Sequence, residues 1–397
     1  MLSSFGLGRI RIRGFRSARD VSFAPGALCA LVGEAGSGKS NVLSALWRLL
    51  SPQPESLQEA DFFRGTRGRV VVGASFGDRP ISLSGRPSQP PVREGEPPAA
   101  LFLPAALRSE QLVDSRELLT GSARQMLELL VPGIEHRGRS AAAPALAFVQ
   151  GMEQCCAAGV TGVVLLLEEP ELFLRPQTQR YLYRLLRRFA SNGNQVLYST
   201  HAPAFLNVGR LEELVLVEHD GHAGTTVVQP QTLPADESFR ALSEFDAERS
   251  ELFLARAALL VEGRTEKLAF PFLFRALGHD PDREGISIVE CGGKSNIVLF
   301  AQICVSVHVP YLVVHDRDAP SGRQPILSER AVNAAIEAVA GTERVIELVP
   351  DFEGVAGLVA HSHKPEHAWH AFAASDRAQV PAPLADAVRR ASALASA

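Results

Sequence analysis

The sequence is poor in cysteine and has no long apolar run. Its five cysteines show no C-x-x-C spacing and no partner histidines at zinc-site intervals, which is typical of reduced thiols. No stretch approaches the ~20 apolar residues of a membrane span, and no basic-then-apolar signal segment opens the sequence. We therefore expect a cytoplasmic protein that does not enter a membrane.

A large excess of charge of one sign is also absent. The net charge is -4 and the pI is about 6.3, which excludes a uniformly basic surface. Contact with a nucleic acid would then depend on local basic patches or on metal ions. The length of 397 residues predicts two or three domains, because one domain usually has ~100–200 residues.

A phosphate-binding loop is present at residues 33–40, where GEAGSGKS fits G-x-x-x-x-G-K-[ST]. An apolar run at 28–32 predicts the preceding strand, and the spacing of apolar residues at 41–50 predicts the following helix. Glycines permit positive φ, so successive N–H groups can surround phosphates; a chance match is the alternative. We expect Lys39 to bind the β and γ phosphates and Ser40 to hold Mg²⁺. The predicted ATP-binding residues are Gly33, Gly36, Ser37, Gly38, Lys39, Ser40, Asn41 and Glu168.

Acidic residues end an uninterrupted apolar strand at residues 163–167. Such a strand is typical of a parallel sheet covered on both faces, and ligands bind at the carboxyl ends of these strands. Glu168 is predicted to hold the nucleotide's Mg²⁺ through water, and Glu169 to accept a proton from the attacking water or to orient it. His201 follows another core strand and is predicted to contact the γ-phosphate, although a structural histidine is the alternative.

Basic residues are clustered in two places. Alternation at 9–13 puts three arginines on one face of a predicted strand, and Arg16, which follows this strand, could approach the nucleotide. A second cluster lies around one predicted helix. In both clusters, phosphate contact and a solvated face are the two interpretations. The helix cluster consists of Arg175, Arg180, Arg184, Arg187 and Arg188.

Acidic pairs follow two apolar strands in the second half. Glu262 and Glu266 follow the first, and Asp316 and Asp318 follow the second. Both strand ends are expected at the carboxyl edge of one small parallel sheet, where the four carboxylates could bind one or two Mg²⁺ ions. A chance Asp-x-Asp is the alternative.

The P-loop, the acidic strand end at 168–171 and Ser199-Thr200-His201 resemble the ATPase head of the ABC class. The resemblance is to the branch shared by chromosome-maintenance and RecF-like proteins, and it implies that two heads sandwich ATP in a homodimer or higher oligomer. Residues 136–140 are the nearest candidate for the signature motif, but they depart from its serine-glycine-glycine pattern. Sustained heptads are missing before this candidate, so a long coiled coil is not expected.

The second half resembles the Toprim domain of topoisomerases, primases and certain nucleases. The order of the two halves resembles the OLD (overcoming lysogenization defect) family of ATP-dependent nucleases. The implied fold is α/β, with an ABC-type P-loop ATPase domain and a smaller Toprim domain built on a Rossmann-like parallel sheet. The implied cofactors are ATP and Mg²⁺ or Mn²⁺, and the implied substrate is DNA.

The resemblance also implies roles for three further groups. Glu262 is predicted to act in catalysis, Glu353 to bind a second metal ion, and Lys364 to stabilise the charge on the phosphorane. Glu353 and Lys364 could equally be surface residues. Four histidines between residues 361 and 370 leave a histidine metal site as a further alternative.

The predicted domains are an ABC/RecF-like ATPase head at 1–235, a linker at 236–254, a Toprim nuclease domain at 255–372 and an Ala/Pro-rich tail at 373–397. The predicted function is an ATP-hydrolysing, metal-dependent DNA endonuclease. The alternative is an ATP-switched DNA-binding or partner-activating module whose Toprim domain does not cleave. A primase or topoisomerase would need a zinc-binding element or a strand-passage tyrosine domain, and neither is evident. A partner protein in an anti-phage defence system is a further expectation from the resemblance.

Overall fold

The computed structural model describes residues 5–65, 68–87, 89–105, 119–134, 142–232, 248–358, 364–373 and 379–396. The chain forms two compact units, residues 1–232 and 233–397. Each unit has its own sheet and its own hydrophobic core. Across the described ranges, no helix has the length and apolar character needed to cross a membrane.

The first unit is built on an 11-stranded sheet with the strand order β6-β5-β4-β1-β2-β11-β10-β3-β9-β8-β7. Strands β10, β3, β9, β8 and β7 are parallel to their neighbours in this run, and the remaining pairings are antiparallel. The strands are β1 (Leu7–Phe15), β2 (Ala18–Phe23), β3 (Leu28–Val32), β4 (Val70–Phe76), β5 (Arg79–Gly85), β6 (Val92–Glu94), β7 (Ala100–Leu103), β8 (Val164–Glu168), β9 (Gln195–Thr200), β10 (Leu214–Asp220) and β11 (Gly224–Val228).

The α-helices described in this unit are α1 (Lys39–Leu50), α2 (Gly121–Ile134), α3 (Ala142–Ala157) and α4 (Pro176–Ser191). Strands β3 and β9 are buried along their whole length because helices cover the central sheet. Helix α1 packs its apolar stripe, including Val42, Leu46 and Leu49, into the core beneath the sheet.

Strand register brings three loops to one edge of this sheet. Val32 at the end of β3 lies opposite Thr200 at the end of β9, and Ser199 lies opposite Glu168 at the end of β8. Because the three strands are parallel, the segments that follow them leave the sheet on the same side. These segments are the P-loop, the acidic turn and the segment that begins with His201.

The second unit has a four-stranded, fully parallel sheet with the order β13-β12-β14-β15. Its strands are β12 (Ala257–Val261), β13 (Ile286–Glu290), β14 (Tyr311–Asp316) and β15 (Val345–Leu348). Its described helices are α5 (Arg264–Ala276), α6 (Pro281–Glu284), α7 (Lys294–Ser306), α8 (Leu327–Ala340), α9 (Phe352–Ala356), α10 (Lys364–Phe372) and α11 (Ala382–Ser396).

The last helix differs from the Ala/Pro-rich tail predicted at 373–397. Helix α11 belongs to the core of the second unit and contacts β12 and β14. Its buried residues Leu384, Ala387, Val388 and Ala391 follow helical spacing, so they form one apolar stripe. Composition did not reveal this stripe. Alanine is a good helix former that occurs on exposed as well as buried helix faces, so its frequency does not show which face is buried.

Candidate nucleotide and metal-ion sites

The P-loop backbone requires glycine at defined positions. Gly33, Gly36 and Gly38 have φ values of 156°, 81° and 109°. A Cβ on Gly33 would lie 2.0 Å from the carbonyl oxygen of Val217, and one on Gly38 would lie 2.0 Å from Oγ1 of Thr225. The loop conformation is therefore set by glycine and by close packing against β10 and β11.

Lys39 is held against this loop. Its side chain is only 5% exposed, and Nζ donates to the carbonyl oxygens of Gly33 and Glu34 at 2.8 and 2.7 Å. Burial lowers the pKa of Lys39, while the carboxylates of Glu169 and Glu171 act in the opposite direction. The ammonium group thus shares one electrostatic environment with the acidic turn. Ser40 is exposed on the first turn of α1.

A polar network that the sequence did not reveal supports the loop from β11. Thr225 is 1% exposed, and its hydroxyl lies 2.7 Å from Oγ of Ser17 and 2.9 Å from the carbonyl oxygen of Ser37. Asn41 also belongs to this network, since its amide donates to Ser17 Oγ at 2.6 Å. The Ser37 hydroxyl is buried without a partner among the described residues. No sequence pattern marks a threonine in a β-hairpin for such a role.

The acidic turn places Glu169 and His201 side by side. Glu169 has a φ of 44°, and its N–H donates to the carbonyl oxygen of Ser199 at 3.1 Å. Nε2 of His201 lies 3.7 Å from Oε1 of Glu169. Burial and the charge of Lys39 lower the pKa of His201, so its imidazole is neutral at pH 7. Glu168 is partly buried, and its carboxylate accepts from the Ala105 N–H at 3.3 Å.

Glu171 has a supporting role that its sequence position did not disclose. It is 7% exposed, and Oε1 accepts from Thr200 Oγ1 at 2.7 Å and from the His201 N–H at 2.8 Å. Its other oxygen, Oε2, has no partner among the described residues, and burial raises its pKa. Glu171 therefore fixes the end of β9 that carries His201. The spacing of two residues between Glu169 and Glu171 is the sequence feature that could have indicated this supporting role.

The basic residues near the N-terminus are largely neutralised. Arg11 and Arg13 both pair with Asp20, at 2.9 and 3.2 Å. Arg16 pairs with the buried Asp61 at 3.0 Å. These contacts favour a structural role for these arginines, and Arg16 reaches α1 only through a 3.4 Å contact of its guanidinium with Ser44.

The candidate metal centre lies at the carboxyl edge of the second sheet. Val261 lies opposite Val314, so Glu262 after β12 and Asp316 at the end of β14 are at the same edge. Glu266 is on the first turn of α5 and is 6% exposed. The predicted set of acids therefore meets at one end of the parallel sheet.

These acids raise one another's pKa values. Burial, followed by the charges of Glu266 and Glu262, raises the pKa of Asp316 to about 8. Burial and the charges of Glu262 and Glu353 raise the pKa of Glu266 to about 7. Glu262 Oε2 is buried without a partner among the described residues. Clustered carboxylates with an unpaired oxygen fit a hard divalent cation.

Two lysines pair with the outer acids of this cluster. Nζ of Lys294 lies 2.5 Å from Oδ2 of Asp318 and 3.3 Å from Oε2 of Glu329. Nζ of Lys364 lies 3.0 Å from Oε1 of Glu353, which raises the pKa of Lys364. No role was predicted for Lys294 from the sequence. Its position just after β13, at the same edge, was an available signal.

The cluster is not arranged as a finished ligand set. Within the ranges that the structure describes, no three His, Cys, Asp or Glu side chains are grouped closely enough to hold a metal ion. Glu262, Glu266 and Asp316 fit a cation by charge and burial, whereas lysines pair with Asp318 and Glu353.

Some predicted residues lie outside the described ranges. These are the signature candidate at 136–140 and two histidines of the alternative metal site, His361 and His363. The other two, His367 and His370, are exposed on α10. Nε2 of His370 lies 4.0 Å from a carboxylate oxygen of Glu366.

Family models match three parts of the chain. The first matches residues 253–318 and describes the Toprim domain of proteins like the overcoming lysogenization defect (OLD) protein. Residues 253–318 are therefore similar to OLD-like Toprim domains. This stretch contains Glu262, Glu266, Asp316 and Asp318. An AAA domain model matches residues 155–207, and a model of unknown function matches residues 5–69.

Two curated relatives are nucleases by name. The chain is 35% identical over 249 residues to the OLD nuclease of Thermus scotoductus, which covers 57% of this chain and 47% of the relative. It is 26% identical over 165 residues to the Old nuclease of Escherichia phage P2, which covers 40% of this chain and 28% of the relative. The chain thus spans about half, or less, of the length of these relatives.

A solved structure, the C-terminal region of the Burkholderia pseudomallei OLD protein, is 16% identical to this chain; the match covers 36% of this chain and 99% of that chain and has a TM-score of 0.31. The predicted likeness to the OLD family is confirmed by the family model and the named relatives. The predicted fold class is confirmed as an α/β P-loop ATPase domain followed by a smaller Toprim domain with a parallel sheet.

Proposed function

We propose that this chain binds and hydrolyses ATP and is a divalent-metal-dependent DNA endonuclease whose cleavage is gated by the ATPase. One observation carries the proposal. In the second unit, the buried Glu266 and the partly buried Glu262 and Asp316 lie at one edge of the parallel sheet, and burial, followed by the charges of neighbouring acids, raises the pKa values of Glu266 and Asp316. Carboxylates gathered in this way, with Oε2 of Glu262 unpaired among the described residues, are suited to bind a divalent cation.

In the nucleotide site, each residue has a chemical task. Glycine-dependent N–H groups and Lys39 would bind the phosphates, and Ser40 and Glu168 would hold Mg²⁺. Glu169 would accept the proton of the attacking water. Neutral His201, fixed by Glu171, would donate a hydrogen bond to the γ-phosphate.

In the Toprim site, Glu262, Glu266 and Asp316 would hold the first cation, and Asp318 and Glu353 would complete the set after their lysines turn away. A divalent cation there would stabilise the negative charge that develops on the phosphodiester. Lys364, freed from Glu353, would contact a phosphate oxygen. The cluster can thus approach an anionic polymer only after it binds metal ions.

Cleavage of supercoiled plasmid tests this proposal. The full chain is incubated with Mg²⁺ or Mn²⁺, with and without ATP, beside Asp316→Asn, Lys39→Ala and the control Asp282→Asn, which changes an exposed acid outside the cluster. We expect nicking by the wild type and the control, and none by Asp316→Asn. Lys39→Ala should lose ATP hydrolysis and show whether ATP permits or restrains cutting. Metal-supported cutting that persists in Asp316→Asn would contradict the proposal.

A second candidate function is an ATP-switched module that binds DNA or activates a partner, with a Toprim domain that does not cleave. The observation that favours it is the pairing of Lys294 with Asp318 and of Lys364 with Glu353, which counters the outer acids. If this second function is correct, the plasmid is not cut with either Mg²⁺ or Mn²⁺, while ATP hydrolysis is still lost in the Lys39→Ala variant.

We attach both functions to defence against phage, with a partner protein as the trigger, on the resemblance to the OLD family alone. Expression in a phage-sensitive host, with Lys39→Ala and Asp316→Asn as controls, tests this role. Equal plating on all strains would contradict it.

A further inference from the structure

Helix α4 carries three arginines on one exposed side. Arg180, Arg184 and Arg188 are spaced at i, i+4 and i+8, and all three are exposed. With 3.6 residues per turn and a rise of 1.5 Å per residue, their Cα atoms are about 6 Å apart along one side of the helix. We call these three residues the α4 arginine stripe.

The stripe forms no ion pair with the described residues. None of its three guanidinium groups forms a hydrogen bond or an ion pair with a described side chain. Arg184 instead lies over the ring of Tyr181, with 5.6 Å between its Cζ atom and the ring centroid. Arg187, on the same helix, is different because it pairs with Glu213 at 3.4 Å.

The acid on the neighbouring helix α3 forms a hydrogen bond with a residue that is not part of the stripe. Glu153 on α3 lies beside the stripe, and its carboxylate accepts a hydrogen bond from the Tyr181 hydroxyl at 2.5 Å. Helix α4 itself contains no aspartate or glutamate. Arg175, at its N-cap, adds a further exposed cation at the positive end of the helix.

Such a pattern is unfavourable for the helix in isolation. Like charges at i, i+4 destabilise a helix, and a cation at the N-terminus opposes the helix dipole. If this helix face only contacted solvent, acidic residues at i, i+4 spacing from the arginines would make the helix more stable. An otherwise acidic chain with a net charge of -4 thus concentrates unpaired arginines in one place.

We propose that the α4 arginine stripe binds the phosphate backbone of duplex DNA. Arginine suits this task because its planar guanidinium group can bind phosphate oxygens in a bidentate manner. The stripe extends over about 12 Å, and duplex DNA carries one charge per ~1.7 Å, so each guanidinium can find a phosphate. Contacts of this kind position the protein and do not read the base sequence.

This inference rests on the proposed function only in taking DNA as the polymer. It adds a DNA contact within the ATPase unit, besides the Toprim carboxylates. The stripe is made of residues with no part in the nucleotide or metal chemistry, so it can be removed separately.

The salt dependence of DNA binding tests the stripe. Arg180→Gln, Arg184→Gln and Arg188→Gln are combined in the full chain, and binding to a fluorescent duplex is measured with EDTA between 50 and 200 mM salt. Three lost phosphate contacts, at about 0.9 each, should reduce the magnitude of the slope of log K against log salt by about 2.7. Over this fourfold range of salt, the wild-type affinity should therefore fall about 40-fold more than the affinity of the variant.

A control of equal charge uses paired arginines. Arg11→Gln, Arg13→Gln and Arg124→Gln remove three positive charges that pair with Asp20 or Glu128, and the wild-type slope should persist. Unchanged ATP binding shows that the stripe variant is folded.

Each other outcome overturns the inference. An unchanged slope in the stripe variant, with DNA binding and cleavage intact, rejects the stripe and leaves the proposed function standing. A slope that changes only with single-stranded DNA or with RNA rejects the assignment to duplex DNA. A wild type that neither binds nor cuts DNA rejects both proposals.

Discussion

The two candidate sites lie at the carboxyl edges of parallel strands, but the charged side chains in them are balanced differently. In the first unit, the buried Lys39 faces Glu169 and Glu171, so cation and acids partly compensate each other. In the second unit, Glu266 is buried and Glu262 and Asp316 are partly buried, and burial, followed by the charges of neighbouring acids, raises the pKa values of Glu266 and Asp316. The first site thus combines a cation with its acids, whereas the second gathers several acids whose pKa values are raised.

The difference follows from the kind of ligand. An incoming nucleotide brings negative charge, so its site must supply donors and a cation in advance, and the glycine backbone and Lys39 do this. An incoming metal ion brings positive charge, so its site must supply acids in excess. Four predictions test this difference, and they follow in decreasing order of expected effect.

Glu169→Gln should give the largest effect. Removal of the proposed general base should slow ATP hydrolysis by roughly 10²–10⁴-fold and leave ATP binding intact. Turnover and nucleotide affinity are measured together, with Lys39→Ala as the variant that should also lose binding. A Glu169→Gln protein that still turns over at the wild-type rate would show that this site is not organised for hydrolysis.

Glu266→Gln should weaken cation binding by roughly tenfold or more, because one charged ligand in a low-dielectric site is lost. The same change should stabilise the metal-free protein, since it removes like-charge repulsion. Thermal melting with and without Mg²⁺ measures both effects. Glu251→Gln, in the same unit, is the control and should keep the metal-dependent shift in Tm. A metal-free Glu266→Gln protein that melts below the wild type would refute the repulsion.

The metal-free second unit should lose stability as pH rises. The folded-state pKa values of Asp316, about 8, and Glu266, about 7, exceed the unfolded values near 4. Between about pH 4 and pH 7–8, the folded state therefore holds protons that the unfolded state has released. The free energy of unfolding falls across that window, by up to about 1.4 kcal/mol per pH unit for each group.

Denaturation in urea with EDTA at pH 5, 6, 7 and 8 measures this slope. A Trp47→Phe background leaves Trp369 as the remaining tryptophan, so fluorescence reports the second unit. Asp316→Asn should flatten the slope, and Asp282→Asn should not. Stability that rises with pH in the wild type would contradict the raised pKa values.

Thr225→Val should give the smallest effect. Loss of its contacts with Ser17 and Ser37 removes about 1 kcal/mol of support for the P-loop, so ATP affinity should fall by roughly 3- to 10-fold. The control is Thr226→Val, the neighbouring residue, which lacks these contacts. Isothermal titration measures both. Equal affinities in the two variants would show that the loop needs no support from β11.

Local patterns predicted the elements that carry the chemistry. The P-loop, the apolar strands 164–168 and 257–261, and the acids after them depend on residue type and short spacing, which a sequence shows directly. The helix at 382–396 lies within the predicted Ala/Pro-rich tail, and its place in the core was not predicted, because alanine spacing alone does not reveal what packs against it.

The sequence by itself determined the phosphate-binding loop, the strand-end acids and the order of the two halves, because backbone freedom at glycine and the run of apolar residues are local properties. Only the tertiary structure decided which groups support or oppose one another: Thr225 under the P-loop, Glu171 behind His201, and Lys294 against Asp318. These pairs are 24 to 188 residues apart in the chain. Their contacts exist because parallel strands from distant segments end at the same edge, and no short spacing encodes that meeting.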